Sequence, residues 1–344
     1  MTISELLSNE EIEKLRIDRV EEIDSCIGTI LKTKNNIFMY GQRGVGKTFL
    51  LKTIYNETIR EDKSVFPFFL NLFSLSRSLV DHGEYAFSSF LALEIITSIW
   101  TELYRKPHSE LINRAISPAA GDSSLISKLN YLQTTYANLK ASLFKMQFES
   151  EHNVGVKAIV SGHIKTNETE SREYGQLLPF EIISYIKELQ DFLNKKEKKI
   201  KLIALCDEAN LMSEEWQKAV LSKHIDIFSN IDIQFVFVAG YIEGYQDLSI
   251  PDTFEYIFEL HGMNKEHLVS LIGNHFPDSE LKISQETLSH LYKSTKGNPR
   301  SVLEIASRVI RSDYKNNKLE ISKHYIDAYI EEQATWSKAI PTRK

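Results

Sequence analysis

The octapeptide Gly41-Gln-Arg-Gly-Val-Gly-Lys-Thr48 constrains this chain more than any other feature, because it matches G-x-x-x-x-G-K-[ST] at every fixed position. The apolar run Asn36-Ile-Phe-Met-Tyr40 before it reads as a buried strand, and Phe49-Leu-Leu-Lys-Thr-Ile-Tyr55 reads as the helix that follows. Strand, glycine-rich loop and helix are the context this motif needs. Gly41, Gly44 and Gly46 are expected to supply positive φ, so that backbone N–H groups can close around phosphate oxygens. The helix N-terminus adds its partial positive charge. Lys47 would reach the outer phosphates and Thr48 would offer its hydroxyl to Mg²⁺. The candidate nucleotide contacts are Gly41, Gln42, Arg43, Gly44, Val45, Gly46, Lys47, Thr48 and Phe49. A nucleoside triphosphate, ATP, is the expected ligand.

A second constellation lies far along the chain. Ile200-Lys-Leu-Ile-Ala-Leu-Cys206 is an apolar run ending in the carboxylates of Asp207 and Glu208. A carboxylate at the end of a buried strand is suited to hold Mg²⁺, which is the role expected for Asp207. Glu208 would orient and deprotonate an attacking water as general base. That adjacent glutamate favours hydrolysis over phosphoryl transfer to a second substrate, whose acceptor would occupy the place of the base.

The rest of the chain sets limits. With 344 residues there is room for two domains. Forty-one basic against forty-seven acidic residues leave a net charge of −6, which argues against general attraction to DNA or anionic membranes. The two cysteines, Cys26 and Cys206, have no C-x-x-C spacing, so neither a disulfide framework nor a zinc finger is expected. The histidines are scattered, without two on one helical turn to hold a metal. The polar, acidic first residues do not resemble a signal peptide, and a cytoplasmic location is expected.

Apolar periodicity predicts one or two helices over residues 9–32, a second strand over 65–73, and a long helix over 87–104. The α/β alternation then lapses. Residues 106–178 read as an insertion, with a helical stretch over 125–139 and a hairpin or extended arm over 154–165. Alternation resumes with a helix at 179–195, the strand at 200–206, a helix at 216–228, a strand at 233–239 and a short strand at 253–260. After Gly262 the pattern is wholly helical, over 265–275, 284–295, 299–311 and 322–338. The expected fold is α/β, a P-loop NTPase with a parallel sheet core over 1–262, followed by an all-helical lid domain over 263–340.

The succession of the loop, Asp207-Glu208, the strand at 233–239 and a helical lid carrying Lys296-Gly-Asn-Pro-Arg300 resembles the AAA+ ATPases. The likeness points to the bacterial branch shared with origin-recognition initiators, transposition ATPases of the TniB/TnsC type and STAND-like ATPases. It covers residues 15–335 apart from the 106–178 insertion. The resemblance implies that Arg300 is the lid cation of sensor 2, brought onto the γ-phosphate as the lid closes. It implies that Asn71, in Phe-Leu-Asn-Leu, diverts the catalytic glutamate by hydrogen bonding until a ligand arrives, and that Tyr241 is the nearest candidate for sensor 1. The pattern departs from the family in one respect, since no arginine occurs from Lys201 to Pro299, where the family's arginine finger usually lies. A transition-state arginine is worth about 10³ to 10⁵ in rate, so slow hydrolysis and a switch are expected in place of a processive motor. The resemblance further implies a homo-oligomer or a separate effector protein as partner, in phage defence or mobile-element biology. An ATP-dependent DNA-binding assembly and a non-hydrolysing nucleotide-bound scaffold stay open as alternatives.

Overall fold

The computed structural model describes residues 19–61, 64–71, 84–104, 127–128, 130–138, 184–193, 200–207, 232–240, 254–312 and 318–339. Five strands, β1 (Asn36–Gly41), β2 (Val65–Asn71), β3 (Lys201–Asp207), β4 (Ile233–Ala239) and β5 (Phe254–Leu260), form one sheet in the order β2-β3-β4-β1-β5. β3 pairs parallel to β2 from Val65↔Lys201 to Asn71↔Asp207, and parallel to β4 from Leu202↔Ile233 to Cys206↔Phe237. Strands covered on both faces should read as continuous apolar runs without alternation. β4 is buried at all of its positions and β3 at all but Lys201. Pro67 has no N–H to give to a ladder and sits on β2, an outer strand of this sheet, where the loss is tolerated. Phe38, Phe237 and Phe254 fill the core, with ring centroids 5.6 to 6.3 Å apart.

Three helices accompany the strands: α1 (Val20–Lys32), α2 (Lys47–Glu61) and α3 (Glu84–Leu103), the last lying against β2. The α1 C-terminus leaves carbonyls without helical partners, and the Lys201 ammonium donates to two backbone carbonyls there, of Ile30 and Thr33. Residues 130–138 and 184–193 are also helical. Tyr185 joins them to α3, since its hydroxyl accepts from Trp100 Nε1 at 2.9 Å and donates to the Leu132 carbonyl at 2.8 Å. Burial pushes that phenol well above its ordinary range. The arm expected over 154–165 and the helix expected over 216–228 lie outside the described residues.

The C-terminal part contains the four expected helices, α4 (Lys265–His275), α5 (Gln285–Thr295), α6 (Pro299–Ser312) and α7 (Lys323–Ala339). They enclose their own core, including Leu268, Ile272, Leu291, Val302, Ala306 and Ile326. Ser284 caps α5, its hydroxyl accepting from Thr287 N at 3.1 Å. The structure adds one element to the helical pattern, a short parallel ladder of β6 (Glu280–Lys282) and β7 (Lys318–Glu320). Three-residue strands carry no readable period, and each exists only because the other is there.

The described residues separate into two compact units that do not follow chain order. One unit draws on the described residues within Met1–Ile27, Met39–Asn56 and Phe258–Lys344, and the other on those within Gly28–Phe38 and Glu57–Ile257. The phosphate loop therefore shares a unit with the C-terminal helices, whereas β2, β3 and β4 belong to the other. Both cysteines are buried free thiols, Cys26 being pushed up to about 12 by burial. Among the described residues no helix is long and apolar enough to cross a membrane.

Candidate functional site

The loop between β1 and α2 is built from three glycines with two different tasks. Gly44 and Gly46 adopt φ of +93° and +98°, a region that side chains rarely enter. Gly41 does not, which corrects the expectation that all three supply positive φ. It closes β1 in ordinary strand conformation, and its need is space: a Cβ there would lie 2.5 Å from the Leu260 carbonyl oxygen and 3.3 Å from Val45 Cγ2. Lys47 is buried, and its ammonium donates to the carbonyls of Gly41 at 2.7 Å and Gln42 at 2.8 Å. The cation is thus held against the loop by the loop's own backbone. Val45 is buried and donates its N–H to the Gln42 carbonyl, while Thr48 is exposed at the first turn of α2. Leu50 N donates to the Gly46 carbonyl at 2.9 Å, so the loop runs into the helix without a break. Phe49 is half-buried, and its carbonyl accepts from Thr53.

Arg300 comes to the same loop. It occupies the first turn of α6, and its backbone N lies 3.4 Å from the Gly44 carbonyl oxygen. A Cβ on Gly44 would lie 2.9 Å from Arg300 Cβ. The side chain is exposed, and among the described residues no hydrogen bond or ion pair is made by its guanidinium. An exposed cation beside a phosphate loop is suited to a ligand's charge.

Two further residues of this unit escaped the sequence reading. Asn298 donates from Nδ2 to the Arg43 carbonyl at 2.8 Å and caps α6 with its other amide atom. An asparagine ahead of Pro299 at the first helical position is a cap signature, yet nothing in that pattern points to Arg43. Arg19 is nearly buried, and its guanidinium donates to the Val45 carbonyl at 3.3 Å, to the His261 carbonyl, and to Glu22 at 2.8 Å. It ties the loop to the segment leaving β5.

In the other unit, Asn71 and Asp207 are register partners at the ends of β2 and β3. Asp207 is 2% exposed, and its Oδ2 accepts no hydrogen bond among the described residues, although the residue keeps other interactions. Glu208 and Tyr241 lie outside the described residues. The donors expected for Mg²⁺, the Thr48 hydroxyl and the Asp207 carboxylate, are hard oxygens, which suit that ion. Among the described residues no cluster of three or more histidine, cysteine or carboxylate ligands could hold a metal by itself.

No family model matches this chain, and no curated protein matches it. The solved structures to which it is similar include domain III of the Thermotoga maritima replication initiation protein DnaA, at 11% identity and a TM-score of 0.46, over 95% of this chain and 98% of that one. C. elegans PCH-2 is similar at 11% identity and a TM-score of 0.43, over 97% of this chain and 74% of that one. Drosophila ORC bound to DNA is similar at 9% identity and a TM-score of 0.42, over 98% of this chain and 72% of that one. Likenesses of this size say nothing about ligand, activity or partner. The chain's own sheet order and phosphate loop make this an α/β P-loop NTPase fold.

Proposed function

We propose that this chain is an AAA+-type ATPase that works as a slow switch, taking up ATP beneath a helical lid that begins near residue 263. The observation that carries the reading is the phosphate loop itself, with Gly44 and Gly46 at positive φ, Lys47 held against it and the Arg300 helix starting on its Gly44 carbonyl. The loop's N–H groups and the α2 N-terminus bind the phosphates, and Lys47 neutralises the outer ones. Arg300 adds a lid cation whose hold on the γ-phosphate distinguishes ATP from ADP. Thr48 and Asp207 would hold Mg²⁺, which neutralises phosphate charge when bound. Glu208 orients the attacking water and takes its proton. Asn71, register partner of Asp207, would restrain that glutamate between cycles.

The output is proposed to pass to a partner effector protein or to further copies of this chain, in phage defence or mobile-element biology. The arginine-free stretch from Lys201 to Pro299 supports slow turnover until a partner contributes a cation. The purified full chain should bind mant-ATP and release phosphate. Lys47→Ala should lose binding, and Glu208→Gln should keep binding while hydrolysis falls by about 10² or more. A Lys47→Ala protein that binds mant-ATP like the wild type overturns the reading. Mass photometry of Glu208→Gln with ATP, with and without duplex DNA, separates a monomeric switch from a ring or a DNA-bound assembly.

A further inference from the structure

We propose that Asn298 is a positioning residue that latches the Arg300 helix to the outer, carbonyl side of the phosphate loop. This rests on the reading of that loop as a triphosphate site. The Asn298 side chain uses both ends of its amide. Nδ2 donates to the Arg43 carbonyl at 2.8 Å, while Oδ1 accepts from Arg300 N at 3.1 Å and Ser301 N at 3.3 Å. One planar group therefore joins the loop backbone to the first turn of α6. Contact is close on this side, because a Cβ on Gly44 would lie 2.6 Å from Asn298 Oδ1.

The other flank of Asn298 is stiff. Lys296 sits at φ 51° and Gly297 at φ 69°, and Met263 N donates to the Gly297 carbonyl at 2.8 Å. A displacement of the Arg43 carbonyl is therefore taken up by α6, not by the turn before it. A loop that turns its N–H groups towards phosphate turns its carbonyls outwards, and those carbonyls are what Asn298 and Arg300 hold. Arrival of the phosphates is thereby transmitted to the start of α6, which sets where Arg300 stands.

Residue chemistry separates this role from simple helix capping. Aspartate and serine cap a helix about as well as asparagine. Aspartate, however, cannot donate to the Arg43 carbonyl, and serine is too short to reach it while capping. In the full chain, Asn298→Asp and Asn298→Ser should keep thermal stability near the wild type, unlike Asn298→Ala. Both should speed hydrogen exchange of amides 43–50 in the nucleotide-free protein about fivefold to tenfold, the equivalent of one lost hydrogen bond. Both should also reduce the preference for mant-ATP over mant-ADP by a similar factor. That reduction should vanish when Arg300 is already alanine, because Asn298 acts through Arg300.

A wild-type ATP/ADP ratio in Asn298→Ser, or additive effects with Arg300→Ala, overturns the latch and leaves the nucleotide site standing. If the wild type binds neither mant nucleotide, the site reading falls. The latch is then judged on exchange alone, where faster exchange at 43–50 upholds it and unchanged exchange removes it.

Discussion

Replacing Gly262 by alanine tests the closest backbone approach to a glycine among the described residues of the nucleotide-loop unit. A Cβ at this position would lie 2.0 Å from the Lys296 carbonyl oxygen and 2.9 Å from Gly297 C. Ordinary contact begins near 3.4 Å, so the two backbone segments would have to separate by about 1.4 Å. Neither obstacle is the end of a flexible side chain that could swing away. The separation breaks the bond from Met263 N to the Gly297 carbonyl, now 2.8 Å long. Losing that bond costs about 1 kcal/mol. Backbone shifts forced by overpacking cost about 1 to 3 kcal/mol more. Together they come to about 2 to 4 kcal/mol, or about 30- to 1,000-fold faster exchange of the protected amides in α4, α5 and α6. Gly273 is the control within the same helical part. It lies inside α4 with nothing within 4 Å of its would-be Cβ, so Gly273→Ala should slow exchange about threefold by removing a helix-breaking glycine. Hydrogen exchange read by mass spectrometry on peptides covering 265–312 distinguishes the two. A Gly262→Ala protein whose exchange stays within threefold of the wild type refutes the reasoning.

Two other substitutions separate space from conformation in the loop. Gly41→Ala should destabilise through its collision with the Leu260 carbonyl, whereas Gly46→Ala, with open space but φ of +98°, should cost only the strain of about 1 to 2 kcal/mol. Urea melts in which Gly46→Ala proves the less stable of the two would reverse this assignment. Lys201 gives a pH dependence. Burial first, and Lys34 second, lower its ammonium to about 8 from an ordinary 10.5, against the opposing pull of Asp232. Because the folded value is the lower one, the unfolded chain binds more protons between pH 8 and 10.5 and stability gains across that window. The gain is lost again as pH falls through 8. The urea midpoint of the wild type relative to Lys201→Met should therefore climb between pH 8 and 10, and a flat difference would falsify the assignment.

The elements that the sequence announced share a long, unmixed signal. β4 occupies residues 233–239 as read, because six of its seven positions are apolar and all seven are buried, with Gln234 the one polar residue among them. α4 and α6 match because caps and prolines bound them, with Pro299 at the first position of α6. β6 and β7 were not legible, since neither has a period and each needs a partner distant in the chain. Gly41 was misread for a related reason. A glycine in a glycine-rich motif looks like a conformational need, and only the neighbouring strand β5 reveals that the need is space.

The candidate site divides along the same line. Local chemistry is enough to raise the expectation of a phosphate loop at Gly41–Thr48 and of a carboxylate pair after the apolar run ending at Cys206, because each depends on residue type and short spacing, whereas the cation at Arg300 was expected only from the family resemblance. Tertiary structure alone decided that Arg300 starts its helix on the Gly44 carbonyl, that Asn298 grips Arg43, and that Arg19 bridges Val45 and His261. All four contacts end on backbone carbonyls. Every residue carries a carbonyl, so no side-chain pattern can foretell which one a distant amide or guanidinium will meet.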